Sequence, residues 1–133
     1  MKSVISIPVH EKPDVIQNQI DNINRFFPEA IIVLHVSAAY YQNYDEKELP
    51  SGKKIYINPE HLVTSWGDII KAHVSNYYCI ESLGLNYDYF IMHSSNDMYV
   101  QEGVSDYIQK YEAGFNLRYI RQKNSYWWPS ALA

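Results

Sequence analysis

The residues best suited to chemistry are short polar groups at the ends of apolar runs. "SVISIPV" at Ser3–Val9 exits into His10. "AIIVLHV" at Ala30–Val36 contains His35 and exits into Ser37. "YDYFIM" at Tyr87–Met92 exits into His93, Ser94, Ser95, Asn96 and Asp97. An apolar run that stops in such residues brings hydrogen-bond donors, acceptors and one carboxylate to a strand end. Groups of that kind suit the hydroxyls of a ribose or sugar and the edge of a base. Each also has a plainer reading. His10 can be a loop histidine, and His35, inside an apolar run, a core histidine bonded to backbone. Ser94, Ser95 and Asn96 can satisfy one another in a turn. Asp97 stands out because it follows a buried strand directly.

The elements that must position these groups are legible as periodicities. Three continuous apolar runs (Ser3–Val9, Ala30–Val36 and Tyr89–Met92) and the shorter "KIYI" at Lys54–Ile57 read as strands covered on both faces, as in a parallel sheet. Pro13 at a first helical turn, Asp14 beside it, and Ile16, Ile20, Ile23 and Phe27 at helical spacing predict an amphipathic helix that Pro28 ends. Trp66, Ile70, Val74, Tyr77 and Ile80 predict a second helix with an apolar stripe. Ser65 is its N-cap, Asp68 takes the capping-box position and Gly84 stands at its C-terminal end. Tyr40–Gly52 reads as a polar, acidic loop. Val104, Ile108 and Tyr111 predict a short third helix ending near Gly114, and Phe115, Leu117 and Tyr119 alternate like a fifth strand. Helices alternating with buried strands predict an α/β fold: an open, mostly parallel sheet with helices on both faces. In such sheets ligands bind beyond the carboxyl ends of the strands, where His10, Ser37 and Ser94–Asp97 fall. A nucleotide is the expected occupant.

Composition narrows the classes. The chain has 133 residues, enough for one core, and a net charge of −4 with no basic block, which argues against nucleic acid and against a polybasic membrane contact. The single cysteine, Cys79, fits a reducing, cytoplasmic compartment, with peripheral membrane attachment left open. The P-loop, G-x-G-x-x-G, HExxH and G-x-S-x-G patterns are absent, which weakens NTPase, dinucleotide, zinc-protease and α/β-hydrolase readings. Cys79 without a positioned partner motif is a weak nucleophile candidate. A metal hydrolase would need His10, His35 and His93 on adjacent, level strands. The domain is expected over residues 1–120, followed by an aromatic tail, 121–133, with Trp127 and Trp128. Apolar aromatic residues are rarely left in water. The tail therefore reads as the start of a further, acceptor-binding half, or as an end that self-associates or docks on a partner.

Taken together, "SIPVHEKPDVIQNQIDNI", "AIIVLHVS", "SWGDIIKAHVSNYYCIESL" and "YDYFIMHSSNDMYV" resemble the N-terminal, nucleotide-binding part of the core-2/I-branching N-acetylglucosaminyltransferases and their bacterial relatives, over roughly residues 3 to 110. The resemblance implies a GT-A type, Rossmann-like fold and transfer of a sugar from a nucleotide donor, most simply a UDP-sugar, to a glycan hydroxyl. It implies a nucleotide-sugar pocket built from His10, Ser37, Trp66, Gly67, Ser94, Asn96 and Asp97. In that pocket Asp97 would bond ribose or sugar hydroxyls, Ser37 would face the nucleoside, and Trp66 and Gly67 would shape the wall. Two departures are plain: the family's "HVD" aspartate is Ser37, and its "SGxD" glycine is Ser95. No metal or other tightly bound cofactor is expected. The family is metal-independent, and "SND" at Ser95–Asp97 keeps one carboxylate where hard cations need several oxygen ligands. The family's general base lies in a second half, so no catalytic base is assigned to a residue of this chain. The alternative on the same fold is a non-catalytic sugar-binding or interaction module.

Overall fold

The structure is a computed structural model that describes residues 1–65 and 67–115. Four strands, β1 (Ser3–Val9), β2 (Ile31–Val36), β3 (Ile55–Asn58) and β4 (Tyr89–Met92), form one sheet in the order β3-β2-β1-β4. Every pairing is parallel, with Val4 opposite Ile31, Ile32 opposite Ile55 and Ser3 opposite Tyr89. The architecture is an open, parallel, Rossmann-like α/β sheet with helices on both faces, as the alternation of elements predicts.

The two-residue period of the strands sorts side chains cleanly. Ile5, Ile7 and Val9 of β1 and Ile32, Leu34 and Val36 of β2 point to one face. There they meet Ile16, Ile20 and Ile23 of helix α1 (Pro13–Phe26), with Phe27 and Ala30 closing the cluster. Pro13 starts α1 because its missing N–H costs nothing in a first turn. The predicted stripe is the buried one.

The opposite face carries Val4 and Ser6 of β1, Val33 and His35 of β2, and Tyr56 and Asn58 of β3. Helix α3 (Ile70–Ser82) crosses it. Here the expectation fails. Of the predicted stripe, Ile80 is buried, whereas Ile70, Val74 and Tyr77 are 55%, 46% and 41% exposed. The helix instead buries Ala72, His73, Ser75 and Asn76. The physical reason lies in the sheet. Ser6, His35 and Asn58 make this face polar toward its carboxyl end, and only polar partners satisfy them. Asn76 donates to Ser6 Oγ (3.0 Å) and to the Val33 carbonyl (3.2 Å), and it accepts from Asn58 (3.0 Å). Asn58 also donates to Ser75 Oγ (2.8 Å), which in turn donates to Glu60. Ser6 Oγ and His73 Nδ1 are 2.8 Å apart.

The loop expected over Tyr40–Gly52 holds two short helices, α2 (Ala38–Asn43) and a 3-10 turn at Glu46–Glu48. Tyr40 and Leu49 anchor this segment in the α1-side core. The third predicted helix is α4 (Val104–Ile108), which packs on the same side. The predicted fifth strand falls mainly, and the 121–133 tail wholly, outside the described residues. No helix of the described residues is long and apolar enough to cross a membrane.

Candidate functional site at the carboxyl edge of the sheet

Because the strands run parallel, all four carboxyl ends share one edge. The connections leave β1 toward β2 and β3 on the α1 side. They return over the α3 side to β4, which lies on the other flank of β1. The chain therefore reverses its direction of winding between β1 and β4. Sheets of this kind open a crevice at that switch point, since the two flanking connections diverge to opposite faces. A cleft of about 530 Å³ lies there. Its described lining is His10 and Glu11 after β1, Thr64, Ser65 and Ile69 before α3, and Ser94 and Ser95 after β4. The volume is in the range of small-molecule sites.

Helix α1 fixes the β4 exit. Gln19, buried in α1, donates to the Ser94 carbonyl (2.7 Å). One turn on, Asn22 accepts from Tyr99 N (2.7 Å) and donates to the Tyr99 carbonyl (2.9 Å). The stretch from Ser94 to Tyr99 is thus held at both ends by one rigid element. Within it, Asp97 accepts the Ser94 N–H (2.9 Å) and the Ser94 hydroxyl donates to Asn96 (2.8 Å). The turn-forming and ligand-presenting readings of this segment are therefore compatible. Asp97 and Asn96 brace the turn at the surface, and the turn presents Ser94 and Ser95 to the cleft. Ser95 is buried yet lines the cleft.

The other wall comes from the segment before α3. Ser65 N and Oγ both donate to Asp68 Oδ1 (2.6 and 2.9 Å), and Asp68 N donates to the Ser65 carbonyl (3.1 Å). A hydrogen bond from Lys71 Nζ to Asp68 Oδ2, with those from Ser65, holds the Asp68 carboxyl down to about 2. Ser65 and Asp68 thus close a turn on each other, but the expected N-cap is not there: α3 begins only at Ile70, after Ile69, which makes no side-chain cap bond, and Asp68 N bonds the Ser65 backbone carbonyl and not its hydroxyl. Thr64 Oγ1 is buried without a hydrogen-bond partner among the described residues, an unmet polar demand beside the cleft. His10 is exposed at the cleft rim, yet the part of its ring held away from water loses basicity, offset in part by Glu11, so the neutral imidazole predominates at pH 7.

The sequence-predicted residues divide. His10 and Ser94 line the cleft together. Asn96 and Asp97 stand just behind it in the supporting turn. Ser37 is placed elsewhere: it is 4% exposed, its hydroxyl accepts the Tyr40 N–H (3.3 Å), and it caps α2. The β2 tip is also covered. Ala38 N donates to the Leu62 carbonyl (3.0 Å), Leu62 N donates to His35 Nε2 (3.2 Å), and His61 Nδ1 lies 3.0 Å from the Val36 carbonyl. Gly67 is exposed, and a Cβ there would meet nothing within 4 Å. Its neighbours therefore do not demand glycine, and it is not part of the described cleft lining, contrary to the expectation. Trp66 lies outside the described residues. Glu11, Thr64, Ser65 and Ile69 are site residues that sequence reasoning missed, Ser65 having been read as a helix cap, and Ser95 was read only as part of the polar β4 exit. The adjacency of Glu11 to His10 was the available signal.

His35 belongs to the α3 face and His93 to the α1 face, where it lies 2.9 Å from Tyr99 Oη. Adjacent strands thus do not bring His10, His35 and His93 together. Among the described residues no group of three or more His, Cys, Asp or Glu side chains is disposed to hold a metal ion. Cys79 is half-buried, and burial pushes its thiol up.

Fold and cleft together define an open α/β domain with a ligand-sized crevice at its switch point. Comparison with protein-family models, with curated proteins and with solved structures found no match to this chain.

Proposed function

We propose that the β1–β4 cleft binds a nucleotide sugar, most simply a UDP-sugar, and that the chain is the donor-binding part of a GT-A-like glycosyltransferase acting on a glycan hydroxyl in a cytoplasmic setting. The observation that carries the reading is the position of the cleft: a crevice of about 530 Å³ at the topological switch point, hydroxyl-bearing along both flanking connections. Ser65, Ser94, Ser95 and Thr64 supply donors and acceptors for ribose and sugar hydroxyls. His10, neutral at pH 7, can donate or accept one hydrogen bond. Asp97 contributes by bracing the turn that carries the two serines. The order and spacing of the four sequence motifs, with His10 and Ser94 meeting in one cleft, support the glycosyltransferase class.

Calorimetric titration of the chain with UDP, UDP-sugars and other nucleotides tests this reading. Saturable binding weakened roughly 2- to 10-fold in His10→Ala and Ser95→Ala, the loss of about one hydrogen bond, supports it. No heat with any nucleotide at millimolar concentration argues against it. A second reading, a non-catalytic interaction module on the same fold, is favoured by the outward apolar side of α3. A stable dimer or partner complex with no affinity for any nucleotide would select it.

A further inference from the structure

Helix α3 turns an apolar stripe away from the sheet. Ile70, Val74, Tyr77 and Tyr78 are 41% exposed or more, and with Phe90 and Met92 of β4 they line a groove of about 140 Å³. A helix ordinarily hides such a stripe, and a contiguous exposed apolar patch marks a contact surface. The groove is well below the roughly 300 Å³ at which small-molecule pockets begin. It suits one protruding aromatic side chain better than a metabolite.

We propose that a second copy of this chain covers this face, the two α3 helices packing antiparallel about a two-fold axis level with Asn76. Three observations select that occupant. First, the spacing fits. Ile70, Val74, Tyr77 and Glu81 recur at intervals of four, three and four residues, which is the seam along which two helices pack. Second, the stripe complements itself. A two-fold contact occurs twice, each residue meeting its counterpart in both directions. An axis level with Asn76 sets Val74 against Tyr78 of the second copy, so the most exposed ring of the stripe enters the other copy's groove. The same axis sets Lys71 against Glu81 of the second copy at either end of the seam. Lys71 binds Asp68, and Glu81 Oε1 accepts the Tyr87 hydroxyl. An ammonium has three donors and a carboxylate two oxygens, so both keep capacity for a further partner. Third, the area suffices. Ile70, Val74, Tyr77, Tyr78 and Met92 expose roughly 600 Å² per copy, so their mutual burial removes about 1,200 Å², the lower bound for stable specific interfaces.

The fold keeps this stripe outward. Ala72, His73, Ser75 and Asn76 are buried against the sheet, and the last three are hydrogen-bonded there. Rolling α3 to hide the stripe would break those bonds and leave buried polar groups unpaired. The seam and its margin carry one lysine and one glutamate, Lys71 and Glu81. Equal and opposite charges call for no strongly basic or acidic partner, and self-pairing neutralises them. The inference does not rest on the nucleotide reading: molecular mass reports the one and heat of titration the other.

Analytical ultracentrifugation of the intact chain tests the proposal. Between about 1 μM and 1 mM, the range expected of an interface of this size, the mass should climb from 15.6 kDa toward twice that value. Val74→Asp, at an exposed position, should hold the chain at the monomer mass with an unchanged circular dichroism spectrum. Lys71→Glu and Glu81→Lys each set like charges opposite one another and should weaken association roughly 10-fold. Mixed one to one, these two variants present opposite charges at both ends of the seam and should pair as tightly as the parent. A parent chain that stays monomeric at 1 mM would overturn the proposal. So would a dimer indifferent to Val74→Asp, which would place the contact on another face, or two charge variants that do not pair with each other, which would exclude the antiparallel register.

Discussion

The two faces of the sheet are covered by different chemistry. On the α1 side, isoleucines, valines and a leucine from β1 and β2 meet isoleucines at helical spacing, with Phe27 beneath. On the α3 side, a small apolar cluster around Val4, Val33 and Ile80 gives way, toward the carboxyl edge, to a network joining Ser6, His73, Asn76, Asn58, Ser75 and Glu60. Burial of apolar area is non-directional, so the first face tolerates conservative repacking. Hydrogen bonds demand direction and full satisfaction, so the second sets the rotation of α3 about its axis. That rotation places the apolar side of α3 outward and its leading segment, Thr64 and Ser65, over the cleft.

This contrast can be broken in a graded series. The largest effect is expected on the α1 face: Ile7→Ala leaves a cavity in a fully buried position and should cost about 4 kcal/mol in urea denaturation. Next comes acid. Burial, with His35 and His93 nearby, depresses His73 from 6.5 to about 4. The unfolded chain then binds a proton that the folded chain refuses. Stability contributed by this site is full above pH 6.5 and falls by about 3 kcal/mol as pH drops toward 4. His35 is displaced in the same direction by burial and adds to the slope. Unfolding free energies measured from pH 7 to pH 4 should show this loss, and His73→Asn should flatten it. A pH-independent stability over that range would mean that the buried imidazole is not held neutral by the α3 face.

Smaller again, Asn76→Ala leaves the Val33 carbonyl without its side-chain donor and Asn58 without one acceptor. It should cost about 2 kcal/mol by the same denaturation measurement. The smallest expected stability change is at the cleft. His10 is exposed, so His10→Ala should stay within about 0.5 kcal/mol of the parent while weakening nucleotide affinity. A larger loss of stability would make His10 a structural residue.

The legible parts of this molecule are those in which one short window carries the whole signal. Ile16, Ile20, Ile23 and Phe27 specify both a helix and its buried side, because the facing strands are uniformly apolar. The turn at Ser94–Asp97 is likewise readable from residue types alone. The buried side of α3 is not, since it depends on Ser6, Val33 and Asn58, each in a different strand and individually unremarkable in sequence. Ser37 illustrates the same limit. A serine after a buried strand serves equally as ligand contact or helix cap, and Tyr40, three residues on, supplies the N–H that makes it a cap. The short helices within 38–48 were hidden because Tyr40 and Leu49, their anchors, sit in an otherwise polar stretch.

The measurement closest to the central claim is backbone amide shift mapping during titration with a UDP-sugar. Binding at the switch point predicts saturable changes concentrated at His10, Glu11, Thr64, Ser65, Ser94 and Ser95, with the amides around Ser37 and the far edge of β3 unmoved. Changes centred on the α2 or β3 side, or none at millimolar ligand, would contradict it.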